Sequence, residues 1–455
     1  MKNTVLNRIV IVVFLLLCLM PSLGMVFFGE SEAGANEVLA KFPEIADKKG
    51  VLNYDYLSGI SDWAGDRFAF RQQMITAWSW LNAVLFKTSA VDEVIMGRNG
   101  WLFFSDSLDD YRGLSLEDQE LEAIARNLSL MQEYVESKGS EFIFTIAPNK
   151  NSIYPEYMPS HVPHAADSSN CKKLMSYFED YGIAYADLLS AVSAENETLY
   201  FKTDSHWNNK GAALAADVIL TGLGRKSEFF SSDFSKGEEH KGDLYEILYP
   251  AGNHTETDYR FVPGFSYTTA KDPNGGNAIN IESQSENGTG RLLCWRDSFG
   301  VALYPYLAES FHDARFSRSA TYDLIRIESE ETDSVVIEIV ERNLDYLIEN
   351  MPVYPAPTRE MPVVVAQMPD IAVSAEQGKT EASSKLMLLQ AEIPSDYIQS
   401  ITKAFFACDD ICYEAEILYP GGSLPVVSAW VPAGEAGNVS VIYGSDGSYC
   451  SSAAA

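Results

Sequence analysis

Short apolar runs alternate with segments of helical periodicity along the middle of the chain. The runs EFIFTIAP (141–148), RLLCW (291–295) and SVVIEIV (334–340) are almost wholly apolar, which is typical of strands buried on both faces of a parallel sheet. Segments 116–139 and 209–224 carry apolar residues at helical spacing. Strands that alternate with helices predict a three-layer α/β/α fold around a parallel sheet, which we assign to residues 91–350.

The N-terminal region has a different pattern. Lys2 and Arg8 precede an apolar run that reaches Phe28, and about 20 apolar residues suffice to span a bilayer. We therefore predict a transmembrane anchor at residues 1–30, with the rest of the chain outside the cytoplasm because the positive flank stays inside. A cleaved signal peptide, with EAGA at 32–35 as its possible cleavage site, is the alternative, and either interpretation exports the chain.

Three further regions flank or interrupt the predicted sheet. Residues 31–90 are helical in pattern and form an N-terminal extension. Residues 229–287 are rich in Gly, Ser, Asp and Asn, so we expect an insertion that covers one face rather than part of the sheet. Residues 360–455 contain short β-rich runs separated by turn signals, which predicts a smaller all-β domain, with a sandwich as the expected arrangement.

The composition limits the partners. The 455 residues include 64 acidic and 33 basic side chains, giving a formal net charge of -31. A protein that binds phosphate backbones needs a basic face, so the composition argues against a nucleic-acid partner.

Two loops carry residues with catalytic chemistry. In TDSHW, Asp204 and His206 are two positions apart, and in CWRDSFG, Ser298 follows a predicted strand and precedes a predicted helix. A serine hydroxyl becomes a useful nucleophile when a histidine base lies within hydrogen-bonding distance and a carboxylate orients that histidine. Each motif alone is weak, because Asp-x-His is most often a surface pair and Asp-Ser is a common helix cap.

A metal site is the competing interpretation of the same loop. Asp204 and His206 have no convincing third ligand in the sequence, so we predict no metal. The other five histidines are expected in loop or surface positions: His161, His164, His240, His254 and His312.

Several stretches together resemble the AlgX/AlgJ-type polysaccharide O-acetyltransferases and the related DHHW family, which are SGNH hydrolase-like proteins. The matching stretches run in order from about Val94 to Leu347, and they are VIMGRNGWLFF, IAPNKNSIYPEYMP, TDSHWNNKGA, RLLCWRDSFG with LYPYLAESF, and VVIEIVERNLDYL. Ser205 stands where the DHHW motif has its second position, histidine, whereas the acetyltransferases carry a small hydroxyl residue there.

The resemblance implies a role for individual residues. Ser298 is expected to be the nucleophile, His206 the general base and acid, and Asp204 its orienting carboxylate. Lys150 matches a recurrent lysine and is expected near the site, with a structural ion pair as the alternative. Arg296 and Trp207 are expected to support the site.

The implied function is an O-acetyltransferase, bound to the membrane and extracytoplasmic, that acts on a cell-surface or exported polysaccharide through an acetyl-serine intermediate. A carbohydrate O-acetylesterase with the same triad and a non-catalytic glycan-binding protein are the alternatives. The resemblance implies no soluble cofactor, a polysaccharide acceptor, and an acetyl donor that relatives receive from a membrane partner protein. The β-rich domain could correspond to the carbohydrate-binding module of some relatives, but no sequence match links them.

Overall fold

The computed structural model describes residues 2–31, 38–46, 49–114, 116–165, 169–271, 276–368, 370–395, 401–422, 424–445 and 447–452. The small residues at 32–35, where the alternative signal cleavage would occur, lie outside this set. The helices are α1 (Lys2–Phe28), α2 (Tyr56–Arg67), α3 (Arg71–Leu85), α4 (Leu108–Tyr111), α5 (Asp118–Ser137), α6 (Lys150–Ile153), α7 (Asn170–Tyr181), α8 (Leu188–Ser193), α9 (Asn209–Gly222), α10 (Asp243–Leu248), α11 (Gly300–Ser310), α12 (Arg326–Ser329) and α13 (Tyr346–Glu349).

The strands of the first half are β1 (Val94–Met96), β2 (Leu102–Phe104), β3 (Glu141–Ala147), β4 (Tyr185–Ala186), β5 (Phe234–His240), β6 (Glu256–Phe261), β7 (Thr268–Lys271), β8 (Asn280–Gln284), β9 (Arg291–Trp295), β10 (Asp313–Ser317) and β11 (Ser334–Val340). Those of the C-terminal region are β12 (Thr358–Arg359), β13 (Val364–Met368), β14 (Ser374–Gln377), β15 (Leu386–Glu392), β16 (Lys403–Cys408), β17 (Ile411–Leu418), β18 (Val426–Pro432), β19 (Val439–Ser445) and β20 (Ser448–Ser452).

The central sheet is mixed rather than wholly parallel, which corrects the prediction. Its strand order is β4-β3-β11-β9-β10-β8-β7. The first five strands are parallel, whereas β8 pairs antiparallel with β10 and β7 pairs antiparallel with β8. Both antiparallel strands come from residues 229–287, so part of the predicted insertion extends the sheet at its edge. Their alternating polar residues fit an edge position, where one face meets solvent.

Helices cover both faces of the parallel strands, which confirms the three-layer arrangement. Along β3, Phe142, Phe144 and Ile146 belong to one core with α5 and α7. The intervening Ile143 belongs to a second core with α9 and α11. This period of two is what a strand buried on both faces requires. The helices leave the carboxyl ends of the strands open for a site.

The C-terminal strands form a β-rich region, as predicted, and they join in one nine-stranded sheet. This sheet packs on α5, where Arg126 Nη1 donates to the Ala415 carbonyl at 2.9 Å. Asn127 makes a reciprocal pair with Ile417, donating to its carbonyl at 2.9 Å and accepting from its N–H at 3.1 Å. Because these polar groups are buried, they fix the register of the contact more than they add net stability.

The N-terminal apolar segment forms α1, whose end packs on the start of α3. The rings of Phe28 and Phe70 lie 5.4 Å apart. Across the described residues, no helix has the combined length and hydropathy that crossing a membrane demands.

Candidate active site

The turn after β9 presents Ser298 at the carboxyl edge of the sheet. Asp297 holds this turn, because its carboxylate accepts the Phe299 N–H at 2.8 Å and the Val340 N–H at 2.6 Å. The second bond ties the turn to the end of β11. Both oxygens of Asp297 are therefore used in building the turn, and the Ser298 side chain faces the cleft.

The loop before α9 brings the two other predicted residues to Ser298. His206 Nε2 lies 2.8 Å from Ser298 Oγ, and His206 Nδ1 lies 2.7 Å from Asp204 Oδ1. The backbone N–H of His206 also donates to Asp204 Oδ1, at 2.8 Å. We assign the proton of the neutral imidazole to Nδ1 because a carboxylate can only accept. Nε2 is then free to accept the Ser298 hydroxyl proton, which is the arrangement that serine activation requires.

Two residues that the sequence did not single out complete the network. His240 Nε2 lies 2.8 Å from Asp204 Oδ2, although we expected this histidine in a loop or surface position. Asp243 donates its backbone N–H to the same oxygen at 2.9 Å. Its carboxylate accepts the Ser205 N–H at 2.7 Å and the Ser205 hydroxyl at 2.5 Å. Ser205, at the position that departs from the DHHW motif, therefore links Asp243 to the loop at residues 201–207, which we call the catalytic loop after the roles predicted for Asp204 and His206.

A glycine allows the two loops to approach. A Cβ at Gly242 would lie 2.2 Å from the Thr203 carbonyl oxygen, a distance at which no side chain fits. Glu256 reinforces the contact, because its carboxylate accepts the Thr203 N–H at 2.8 Å and the Lys202 N–H at 3.0 Å.

The hydrogen-bond network shifts the pKa values of Asp204 and Asp243 in opposite directions. Burial opposes ionisation of Asp204, but the hydrogen bonds and charges of His206 and His240 outweigh it and hold the pKa of Asp204 well below its usual range. Burial and the neighbouring Asp204 charge raise the pKa of Asp243. The hydrogen bond from His240 to Asp204 raises the pKa of His240. Asp204 is thus the fixed negative charge beside His206.

Lys150 lies beneath the catalytic loop rather than in the cleft. Its Nζ donates to the carbonyls of Phe201 at 3.1 Å and Lys202 at 3.0 Å, and also to that of Asp204. Burial lowers the pKa of Lys150 to about 7, with the nearby carboxylates acting in the opposite direction. Three carbonyl acceptors match the three N–H bonds of the ammonium form, so we assign that form. Lys150 therefore orders the loop through its backbone, and its described contacts do not include an ion pair.

Arg296 and Trp207, the two remaining predicted residues, bind backbone carbonyls around the site. Arg296 Nη2 donates to the Gly276 carbonyl at 2.6 Å and the Ala278 carbonyl at 3.2 Å, holding the segment before β8. Trp207 Nε1 donates to the Phe299 carbonyl at 3.1 Å, which links the catalytic loop to the turn that carries Ser298. Both side chains are buried, and Trp207 lines the cleft.

Ser298 and His206 lie in a cleft of about 780 Å³, which is large enough for a small organic group and part of a sugar. A second groove of about 520 Å³ adjoins it, and Asn209 and Asp258 line both. The second groove is lined by several aromatic side chains: Tyr259, Phe261, Phe265 and Tyr306.

One trio of side chains also has metal-ligand spacing. Asp204, His206 and Asp243 each place a donor atom within 4.8 Å of the others, so the structure supplies the third ligand that the sequence lacked. The carboxylate oxygens in this trio already accept N–H or O–H hydrogen bonds. A cation would have to displace those donors, whereas the serine-histidine-aspartate arrangement uses them as they stand.

Comparison with known proteins finds similarity to one family over part of the chain. Residues 94–280 match the family described as SGNH hydrolase-like domain, acetyltransferase AlgX. A probable alginate O-acetylase AlgJ of Pseudomonas syringae pv. tomato is 25% identical over 209 residues, covering 44% of this chain and 52% of the relative. The AlgJ of Pseudomonas aeruginosa is 26% identical over 190 residues, covering 40% and 47%. The chain thus spans about half the length of these curated relatives.

Among solved structures, PatB1 of Bacillus cereus with a sulfonyl adduct has a TM-score of 0.43 and 19% identity, covering 55% of this chain and 95% of that chain. The matched family segment contains Asp204, His206 and Lys150. Residues 94–280 of this chain are therefore similar to the SGNH hydrolase-like domain of the AlgX acetyltransferase family, and the chain is similar in part to the AlgJ proteins.

Proposed function

We propose that the protein is an extracytoplasmic, serine-dependent O-acetyltransferase that acts on a polysaccharide. The observation that carries the proposal is the continuous hydrogen-bond chain from Ser298 Oγ through His206 to Asp204, with separations of 2.8 Å and 2.7 Å. Such a chain, open to a cleft, supports acyl transfer through a covalent intermediate. The relationship to alginate O-acetylases supports acetyl as the acyl group and a polysaccharide as the acceptor.

In the first half-reaction, Ser298 Oγ attacks the carbonyl carbon of the acetyl donor while His206 Nε2 takes its proton. The tetrahedral intermediate collapses, His206 returns the proton to the leaving group, and an acetyl ester remains on Ser298. In the second, His206 takes the proton of a sugar hydroxyl, the sugar oxygen attacks the acetyl carbon, and Ser298 regains its proton. Asp204 stabilises the imidazolium that forms in each step.

The negative oxygen of the tetrahedral intermediate needs hydrogen-bond donors. In the described part of the chain, the backbone N–H of Ser298 and the side-chain amide of Asn277 have no protein acceptor. Asn277 and Ser298 line the same cleft. We assign these two groups as oxyanion donors.

The aromatic groove supports a saccharide acceptor. Sugar rings present C–H faces that pack on aromatic side chains, and their hydroxyl groups bind polar side chains. Phe265 is 38% exposed in this groove, and Asp258 lies where the groove meets the cleft. An acceptor chain in the groove would place one of its hydroxyl groups toward the cleft and displace water, which favours transfer over hydrolysis.

We also retain the anchor and the donor arrangement as proposals. The apolar α1 segment would hold the enzyme at the membrane, where a partner protein would present the acetyl donor. A spheroplast fractionation with protease digestion tests the location, because an extracytoplasmic domain is digested without lysis, and full protection contradicts it.

The test of the function follows acetyl release from a chromogenic acetyl ester, with and without oligosaccharide acceptors. A transferase is expected to hydrolyse the ester slowly and to acetylate an acceptor. Release that yields free acetate with every acceptor identifies an esterase instead. A wild-type protein that neither hydrolyses the ester nor reacts with a serine-directed fluorophosphonate would support the non-catalytic alternative.

A further inference from the structure

A second histidine shares the carboxylate of the catalytic aspartate. His240 ends β5, and its Nε2 lies 2.8 Å from Asp204 Oδ2. Its ring stacks on Phe201, with centroids 4.3 Å apart and planes 27° apart. The side chain lines the cleft and is 38% exposed, so solvent protons reach it.

Asp204 divides its two oxygens between two sets of donors. Oδ1 accepts the backbone N–H and Nδ1–H of His206, and Oδ2 accepts from His240 and from the Asp243 N–H. The carboxylate charge that stabilises the His206 imidazolium is therefore the same charge to which His240 binds. Any change in the charge of His240 acts on His206 through one shared group.

Carboxylates face His240 from three elements. Asp204 belongs to the catalytic loop, Asp243 begins α10, and Asp258 lies on β6. Lys241, the neighbouring cation, lines the same cleft and is bound to Glu246 at 3.2 Å. The acidic surroundings favour the protonated form of His240, and they raise its pKa together with the hydrogen bond to Asp204.

We propose that His240 is a positioning residue that controls the strength of His206 as a base through Asp204, and this rests on the proposed acyl-transfer function. Neutral His240 donates one hydrogen bond and leaves the negative charge of Asp204 available to His206. Protonated His240 forms an ion pair with Asp204, so the aspartate stabilises the His206 imidazolium less. Protonation of His240 at acidic pH therefore slows the activation of Ser298 by His206.

The test compares two variants that each keep one property of His240. His240→Gln keeps a side-chain N–H donor but cannot titrate, whereas His240→Phe keeps a ring that can stack on Phe201 but cannot donate. His312→Gln is the control, because that histidine immediately precedes β10 and lies outside the cleft. All proteins are full-length, and thermal unfolding verifies that they fold.

The readout is the rate at which a fluorophosphonate modifies Ser298, measured across pH, since this reaction needs His206 but no acceptor. In it the serine oxygen bonds to phosphorus, fluoride leaves and His206 takes the proton. We expect the wild-type rate to fall on the acid side with the slope of two protons. We expect His240→Gln to fall with the slope of one proton and to stay within about threefold of wild type at neutral pH, because one hydrogen bond is retained. We expect His240→Phe to be about 10- to 100-fold slower than wild type at neutral pH, because Asp204 loses a donor that positions it, and to fall on the acid side with the slope of one proton, because phenylalanine cannot titrate.

The outcomes separate this inference from the proposed function. A His240→Gln profile that keeps the two-proton slope, or a His240→Phe rate equal to wild type, overturns the role of His240 while Ser298 remains reactive. Absence of Ser298 modification in the wild type contradicts the proposed function itself. NMR titration of the histidine ring signals gives a second readout: the two rings should shift each other's titration in wild type, and independent titrations would also refute the coupling.

Discussion

The carboxylate of Asp204 offers the sharpest test of the site, because every group that binds it is a donor. Its four partners are the backbone N–H groups of His206 and Asp243 and one ring nitrogen each of His206 and His240. In Asp204→Asn, an oxygen and an NH₂ group replace two equivalent oxygens. In either orientation of the amide, the NH₂ group faces one backbone N–H, which remains a donor, and one histidine ring nitrogen, which can become an acceptor by a change of tautomer.

The two orientations of the amide are almost equal in hydrogen bonding, so the lost charge decides the effect. The Asp204 carboxylate and the His206 ring are in direct contact, with 2.7 Å between Oδ1 and Nδ1. The centres of the two charges are then about 4 Å apart, and at an effective dielectric constant of about 20 their attraction is about 4 kcal/mol. This energy corresponds to a rate factor of about a thousand. Molecules whose amide forces the proton onto His206 Nε2 are inactive, which adds to the loss. We therefore expect kcat for acetyl-ester hydrolysis to fall by at least about a thousandfold, with little change in KM.

The assay is steady-state hydrolysis of a chromogenic acetyl ester at neutral pH. Asp313→Asn is the matched control, because Asp313 is an aspartate of β10 outside the cleft whose side chain binds Gln284 at 2.8 Å. We expect the control to retain wild-type kcat within about twofold, as is usual for substitutions away from special features. A loss of less than tenfold in a folded Asp204→Asn protein would refute the role of this carboxylate.

Three further predictions concern the support of the site, the docking of the β-rich region and the acceptor groove. Lys150→Met leaves three buried carbonyls without their donor, so we expect the free energy of unfolding, measured by urea titration, to fall by about 3 kcal/mol or more. The control is Lys138→Met, at an exposed lysine, for which we expect a change below about 1 kcal/mol. An equally small change in Lys150→Met would contradict the role of Lys150. Burial raises the pKa of Glu416 to about 8, so the folded state keeps a proton that the unfolded state loses above about pH 4. As pH rises from about 4 to 8, this carboxyl group therefore lowers the free energy of unfolding by at most about 1.4 kcal/mol per pH unit. Glu416→Gln should flatten that part of the stability profile, and an unchanged profile would show that the carboxyl does not hold the proton. Phe265→Ala should raise KM for an oligosaccharide acceptor about five- to tenfold and leave hydrolysis of the small ester unchanged, whereas equal effects on both reactions would place the groove outside acceptor binding.

The sequence predicted those parts of the site that depend on local pattern. The apolar runs at β3, β9 and β11 identified buried parallel strands, and their order placed Ser298 at a strand-to-helix turn. The short Asp204-to-His206 spacing indicated a pair held within one loop. Only the structure shows that this loop meets the serine turn, since the contact depends on how the two faces of the sheet are covered.

The missed residues depend on contacts between distant segments. His240 and Asp243 lie in a region without a strong periodic pattern, and they reach Asp204 because Gly242 permits close approach to Thr203. No local signal distinguishes this glycine from others in a polar segment. The antiparallel strands β7 and β8 were missed for a related reason, because edge strands are short and polar and resemble loops in sequence.

The sequence does not identify the partners of buried charged side chains. Arg126 of α5 is 2% exposed because the C-terminal sheet packs over this helix. Lys150 was expected near the site, with a structural ion pair as the alternative, and its Nζ binds backbone carbonyls of the loop that carries Asp204. The type of partner that a charged side chain finds is set by tertiary packing, which sequence spacing does not encode.

Intact-protein mass spectrometry after rapid mixing with an acetyl donor shows whether Ser298 carries the acetyl group. We predict that wild type gains the mass of one acetyl group and that peptide mapping places it on Ser298. Ser298→Ala should gain none, and addition of an acceptor should discharge the wild-type intermediate. Acetylation that persists in Ser298→Ala, or that maps to another residue, would show that Ser298 is not the nucleophile.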